Sequence, residues 1–233
     1  ANDMTNPANF QYVADRLDML SLADYFIINI HTVCKDWLNW NTAWWGGDDG
    51  QGNLVKWRYT LWDMDATFGH YINYTSIPNI GPAADPCDIE SLPNNSDPQS
   101  HIDVLMKLFD NPDFHDLYIN RYADLNNTAL SCTSMIDLLN ELIDRIEPEM
   151  PRQITRWGGT MAEWQAEVQE LRDFILSRCV EIEDGLTDCY QLSGPHELTV
   201  IVMPQGSPNN VRINTLNPSQ YPFQGKYYGG ADL

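Results

Sequence analysis

Apolar positions follow three different periods along the chain. From Ser21 to Cys34 they run almost without interruption. Leu22, Tyr25, Phe26, Ile28, Ile30 and Val33 leave little polar face, which predicts a buried helix capped by Asp18 or Ser21. His31 on that helix reads as a satisfied core histidine. Residues 35–41 are too short and too polar to continue it. Thr42 to Trp45 reads as a short apolar strand, residues 46–53 as a glycine-rich turn, and Lys56 to Leu61 alternates with period two, a half-buried strand. Together they predict a hairpin that runs into the acidic segment Trp62-Asp63-Met64-Asp65.

Five prolines between residues 70 and 100 mark a long loop, and long loops in compact domains are usually functional or mobile. The period then becomes helical. Ser100 should cap a helix carrying Leu105 and Leu108. A second stripe holds Phe114, Tyr118, Tyr122 and Leu125. A third holds Met135, Leu138, Leu139, Leu142, Ile143 and Ile146 and ends at Pro148. Thr160-Met-Ala-Glu163 is a capping-box sequence opening a last helix with Trp164, Val168, Leu171, Phe174, Ile175 and Ile182 inward. All these stripes read as core. At Ser193-Gly-Pro195 the pattern changes again. Leu198, Val200 and Val202 alternate, Pro204-Gln-Gly206 turns, and Val211 to Thr215 reads as another strand. The chain is therefore expected to be α+β and mainly helical. Residues 1–194 form one unit, and residues 195–233 form a β segment too small for an independent sandwich, the start of a truncated β module.

Composition narrows the choice of partners. With 33 acidic residues against 13 basic ones the net charge is −20, which repels phosphate backbones and anionic lipid. Nucleic acid and membrane surfaces are therefore poor partners, and no apolar run reaches the ~18 residues a membrane span needs. The five cysteines show no zinc spacing. An odd number leaves at least one thiol unpaired. Cys179 and Cys189 would lie about 15 Å apart in one straight helix, unless Gly185 stops the helix and lets the chain fold back.

Candidate chemistry sits around the hairpin. Asp36 and Asn41 lie five apart on the loop after the buried helix, and the hairpin delivers Asp63 and Asp65. Helix, loop with Asp-x-x-x-x-Asn, two strands and an acidic loop is the order of a protein-kinase C-lobe. Phosphoryl transfer needs a carboxylate to orient and deprotonate the acceptor, and an Asn oxygen with a carboxylate to hold a divalent ion against phosphates. Two carboxylates spaced as in Asp63-x-Asp65 repel each other, and a divalent ion relieves that. Six of the eight tryptophans fall between Trp37 and Trp62. They are expected to pack the hairpin onto the helix; exposed on one face they would instead form a platform for a sugar or base.

The stretches Asp36-Trp-Leu-Asn-Trp-Asn41-Thr-Ala-Trp-Trp45 and Lys56-Trp-Arg-Tyr-Thr-Leu-Trp-Asp63-Met-Asp65-Ala-Thr-Phe-Gly69 resemble the CotH kinase family, the spore-coat-protein-H-like atypical kinases. The likeness is greatest to secreted members from Bacteroidetes-type bacteria, and it continues through Pro148 to Arg152, Arg156-Trp-Gly-Gly159 and Arg178-Cys179. The resemblance implies a kinase-like fold without its N-lobe. In the intact protein it implies ATP with Mg²⁺ (or Mn²⁺ or Ca²⁺) and a protein hydroxyl as acceptor. By that likeness Asp36 matches the catalytic-loop aspartate and Asn41 its metal-binding asparagine. Asp63 or Asp65 matches the metal aspartate, Asp63 being the one at the strand end. The extra Asp and Met64 depart from the usual Asp-Phe-Gly order. The resemblance also implies an extracellular or cell-surface protein with oxidised cysteines. The alternative is a non-catalytic surface module that binds a divalent cation, a glycan or a protein partner.

Overall fold

The structure is a computed structural model, and it describes residues 2–203 and 211–232. Among the described residues it is a mainly helical α+β chain with two separate antiparallel hairpins. A short helix α1 (Pro7–Ala14) precedes the buried helix α2 (Met19–His31). The hairpin β1 (Ala43–Asp48) and β2 (Leu54–Thr60) follows. Beyond the long loop come α3 (His101–Phe109), α4 (Pro112–Asn126), α5 (Cys132–Ile146), α6 (Met150–Trp157) and α7 (Met161–Tyr190). A second hairpin, β3 (Ser193–Val200) and β4 (Phe223–Gly229), closes the chain. Among the described residues no helix is long and apolar enough to cross a membrane.

Helix α2 is the centre of the core. Leu22, Ala23, Phe26 and Ile27 are fully buried, and Asp18 caps the helix by accepting from the Ser21 amide at 3.1 Å. Helix α4 packs Phe114, Tyr118, Ile119 and Tyr122 into the same cluster, and Trp37 fits against Tyr25 and Phe26. Tyr227 and Tyr228 of β4 also belong to this cluster. The second hairpin is fastened to α4 by polar groups. The Asn127 side chain accepts from the Lys226 amide at 2.7 Å and donates to its carbonyl at 2.9 Å, and the Tyr227 hydroxyl donates to Asp124 at 2.8 Å.

Several expectations need correction. Helix α1 begins at an Asn6 cap with Pro7 in its first turn, a signal in a segment that reads as polar with scattered apolar positions. Ser100 occupies the cap position of α3 in a left-handed conformation but makes no capping bond. Asp97 does so instead, its carboxylate accepting from the His101 and Ile102 amides at 2.9 and 2.7 Å. The α5 stripe is not core throughout: Leu139 is buried, whereas Leu138, Leu142 and Ile146 are exposed. Val211 to Thr215 is no strand; only an isolated bridge pairs Ile213 with Leu216 around a turn. The turn expected at 204–206 lies outside the described residues. The capping box holds, with Thr160 accepting from the Glu163 amide at 3.1 Å.

The cysteines correct the fold-back idea. Helix α7 runs unbroken through Gly185, and the bridges are Cys87–Cys189 and Cys132–Cys179, with Cys34 free and buried. Gly185 serves close approach rather than helix termination. A Cβ there would come within 2.8 Å of the Pro86 ring, so only glycine lets the loop holding Cys87 lie against α7.

Candidate active site

The carboxyl end of α2 opens into a tightly held double loop. Thr32 is the C-cap and Val33 turns out of the helix at φ 50°. Residues 32–37 and 66–75 are then tied by their backbones. The Lys35 amide donates to the Ala66 carbonyl at 2.8 Å, the Phe68 amide to Thr32 at 2.8 Å, and the Thr75 amide to Lys35 at 2.8 Å. The Thr75 hydroxyl accepts from the Trp37 amide at 3.0 Å and donates to its carbonyl at 3.2 Å. Buried Lys35 reaches across, its ammonium donating to the carbonyls of Gly69 and Tyr71 at 2.9 and 2.7 Å. Burial holds this ammonium below its ordinary range.

Strain concentrates here. Val33, Leu38, Asp63, Phe68, Tyr71 and Ser76 all have φ between 50° and 73°. Such values are rare for side-chain-bearing residues and exceptional for the β-branched Val33. They persist only where surrounding bonds over-determine the backbone, a condition typical of functional loops.

These ties bring the candidate residues into one region. The Asp36 carboxyl is raised above the ordinary carboxylate range, first by burial and then by the charges of Asp65 and Asp63, while a hydrogen bond from Asn41 opposes the shift. The same three aspartates push up the buried Cys34 thiol, to about 11, after burial itself. One Asp36 oxygen, Oδ1, is buried with no hydrogen-bond partner. The Asn41 amide nitrogen donates to the Asp36 main-chain carbonyl at 3.0 Å, which leaves the Asn41 side-chain oxygen free to act as a ligand. Asp63 and Asp65 are exposed on the facing loop.

Among the described residues no three His, Cys, Asp or Glu side chains stand close enough to hold a metal ion by themselves. The donor chemistry nonetheless suits Mg²⁺, which takes hard oxygen ligands, usually one or two carboxylates completed by substrate phosphates and water. An orphaned carboxylate oxygen, a free amide oxygen and two solvent-facing carboxylates match that pattern.

Sequence reasoning did not single out Lys35, Thr75 or Asn39. Lys35 and Thr75 fasten the two loops, and Asn39 presents a buried, unpartnered side-chain oxygen within the Asp36–Asn41 turn. The only sequence signal is that Lys35 and Asn39 lie beside or within the motif. The tryptophans also depart from expectation. Trp37 is 1% exposed, but Trp40 and Trp62 are 76% and 64% exposed, and Trp44, Trp45 and Trp57 are exposed as well. Trp37 anchors the loop; the other five are exposed in or beside the hairpin.

A scan against protein-family models matches the model described as CotH kinase protein over residues 1–182. Searches of curated proteins and of solved structures returned no match.

Proposed function

The chain belongs to the CotH kinase family, and from that premise we propose that it transfers a phosphoryl group from ATP to a protein hydroxyl in an extracellular or cell-surface setting. The observation that carries this reading is the Asp36 carboxylate. It lies in a strained turn, with one oxygen buried and unpartnered, beside two further carboxylates on a loop bonded to its own. Its shifted acidity suits a group that accepts a proton from an acceptor hydroxyl. Asn41, with Asp63 or Asp65, would hold a divalent cation, which when bound neutralises phosphate charge. Lys35 keeps the two loops in register, so the proton acceptor and the acidic loop stay opposed. The two disulfides fit an oxidising compartment. A kinase-like fold is part of the proposal.

The test is labelling of a protein acceptor with γ-labelled ATP by the protein as the cell makes it. Asp36→Asn and Asp63→Asn are suitable variants, because asparagine keeps the volume and tolerates the left-handed backbone at position 63. Asp36→Asn should lower the rate at least ~100-fold, the usual size of a general-base contribution, and Asp63→Asn should lower it through loss of a cation-holding carboxylate, each with an unchanged unfolding midpoint. Labelling at the wild-type rate in Asp36→Asn would refute the assignment. The exposed tryptophans in and beside the first hairpin support a second reading, a non-catalytic binding module. That reading predicts no labelling by any form of the protein.

A further inference from the structure

A cavity lies beside the carboxyl end of α2, and none of the candidate acidic residues lines it. It occupies about 330 Å³ where the end of α2, the end of α4, the start of α5, the middle of α7 and the face of β4 meet. That is within the range of small-molecule pockets. Its lining is unusual for the polar groups left over. His31 is fully buried, yet among the described residues neither ring nitrogen has a hydrogen-bond partner. The Asn126 side chain has both its oxygen and its nitrogen buried and unpartnered. Orphaned polar atoms of this kind carry an uncompensated desolvation cost, so a cavity that gathers two such side chains is either wet or built for an occupant.

The inventory of unpaired positions defines the occupant's chemistry. A neutral imidazole offers one donor and one acceptor, and a carboxamide offers an NH₂ donor and an oxygen acceptor. Burial and the nearby Arg178 guanidinium keep His31 neutral. An anion would leave the two acceptors unpaired, and a cation would leave the donors unpaired. A hydroxyl both gives and takes. At the rim Lys226 is neutralised by Glu183, its ammonium 2.8 Å from the carboxylate, so it offers no free positive charge to an anion. The Tyr228 ring supplies an aromatic surface for C–H groups. We infer that this cavity, lined by His31, Asn126 and Tyr228, is a binding site for a small neutral polyol of the sugar or cyclitol class. It depends on none of the residues assigned to phosphoryl transfer.

Saturation-transfer NMR on the whole protein tests the inference, with D-glucose, N-acetyl-D-glucosamine, myo-inositol and glycerol each offered alone. Inorganic phosphate and choline serve as charged competitors. At least one of the four should bind saturably, and neither competitor should displace it. Gln224→Trp places a ring at the mouth from an exposed strand position, where aromatics are well tolerated; it should abolish binding while the unfolding midpoint stays put. Asn126→Leu should weaken binding at least tenfold and raise the midpoint, since it removes two orphaned atoms. No saturable signal from any of the four, displacement by phosphate or choline, or undiminished binding by Gln224→Trp would each overturn it. Because the lining shares no residue with those assigned to phosphoryl transfer, these outcomes are read separately from the labelling results.

Discussion

Two basic side chains at the end of α2 show how single residues set the behaviour of this protein. Arg178 is fully buried and donates to the carbonyls of Ile30, His31, Pro82 and Ala84, so one guanidinium closes the carboxyl end of α2 and pins the proline-rich loop to it. His31 lies beside it, held down to a pKa of about 3 by burial first and by the Arg178 charge second. The unfolded chain takes up this proton near pH 6.5, whereas the folded chain resists it down to about pH 3. The associated stability is therefore complete above pH 6.5 and is lost as pH falls toward 3, at about 1.4 kcal/mol per pH unit from this one group. Urea unfolding at pH 7.5 and 4.5 should show a shallower pH slope in His31→Leu than in the wild type. Comparing the two forms cancels the contributions of Glu183, Glu197 and the other carboxylates; equal slopes would reject the assignment. At this scale the sequence was legible in part. The buried position of His31 follows from the apolar run around it. Its lack of partners does not, because that depends on what α4 and α7 bring against α2.

At the scale of elements, the bonds that matter join segments distant in sequence. Cys132 and Cys179 link the start of α5 to the middle of α7, closing a loop of 47 residues. In the loop-entropy model such a bridge contributes about 4 kcal/mol. Replacing both cysteines with alanine should lower the unfolding free energy by an amount of that order, read by chemical denaturation, and a change below ~1 kcal/mol would count against it. Helices α2, α4 and α7 were readable from their periods, as were both strands of the first hairpin. The bridging pattern was not. Cys179 and Cys189 lie on one continuous helix, and the packing of Pro86 against Gly185 brings the Cys87 loop to Cys189. The α5 stripe misled for a related reason. An apolar face predicts burial only where a partner covers it, and on α5 Leu139 is covered whereas Leu138 and Leu142 are not.

For the molecule as a whole, the loops that carry the candidate residues were legible because they are local. Asp36 and Asn41 sit in one turn, and the hairpin strands lead directly to Asp63 and Asp65. What the residues alone could not convey is the clamp of Lys35 and Thr75 that holds the turns together, since neither type announces its role by spacing. The core draws on both ends of the described chain, from Met4 to Ala231. The net charge of −20 adds a long-range repulsion toward phosphate backbones to this architecture.

Gly158 and Gly159 form an uncovered joint between α6 and α7, both exposed and both at φ near 90°. A protease that nicks the chain there would cut it into two pieces of unequal size. Both disulfides cross that point, Cys87 and Cys132 on one piece and Cys179 and Cys189 on the other. Nicked protein should therefore migrate as a single band on a denaturing gel without reductant and split into two bands once thiol is added. A split without reductant would mean that the bridges are not as described.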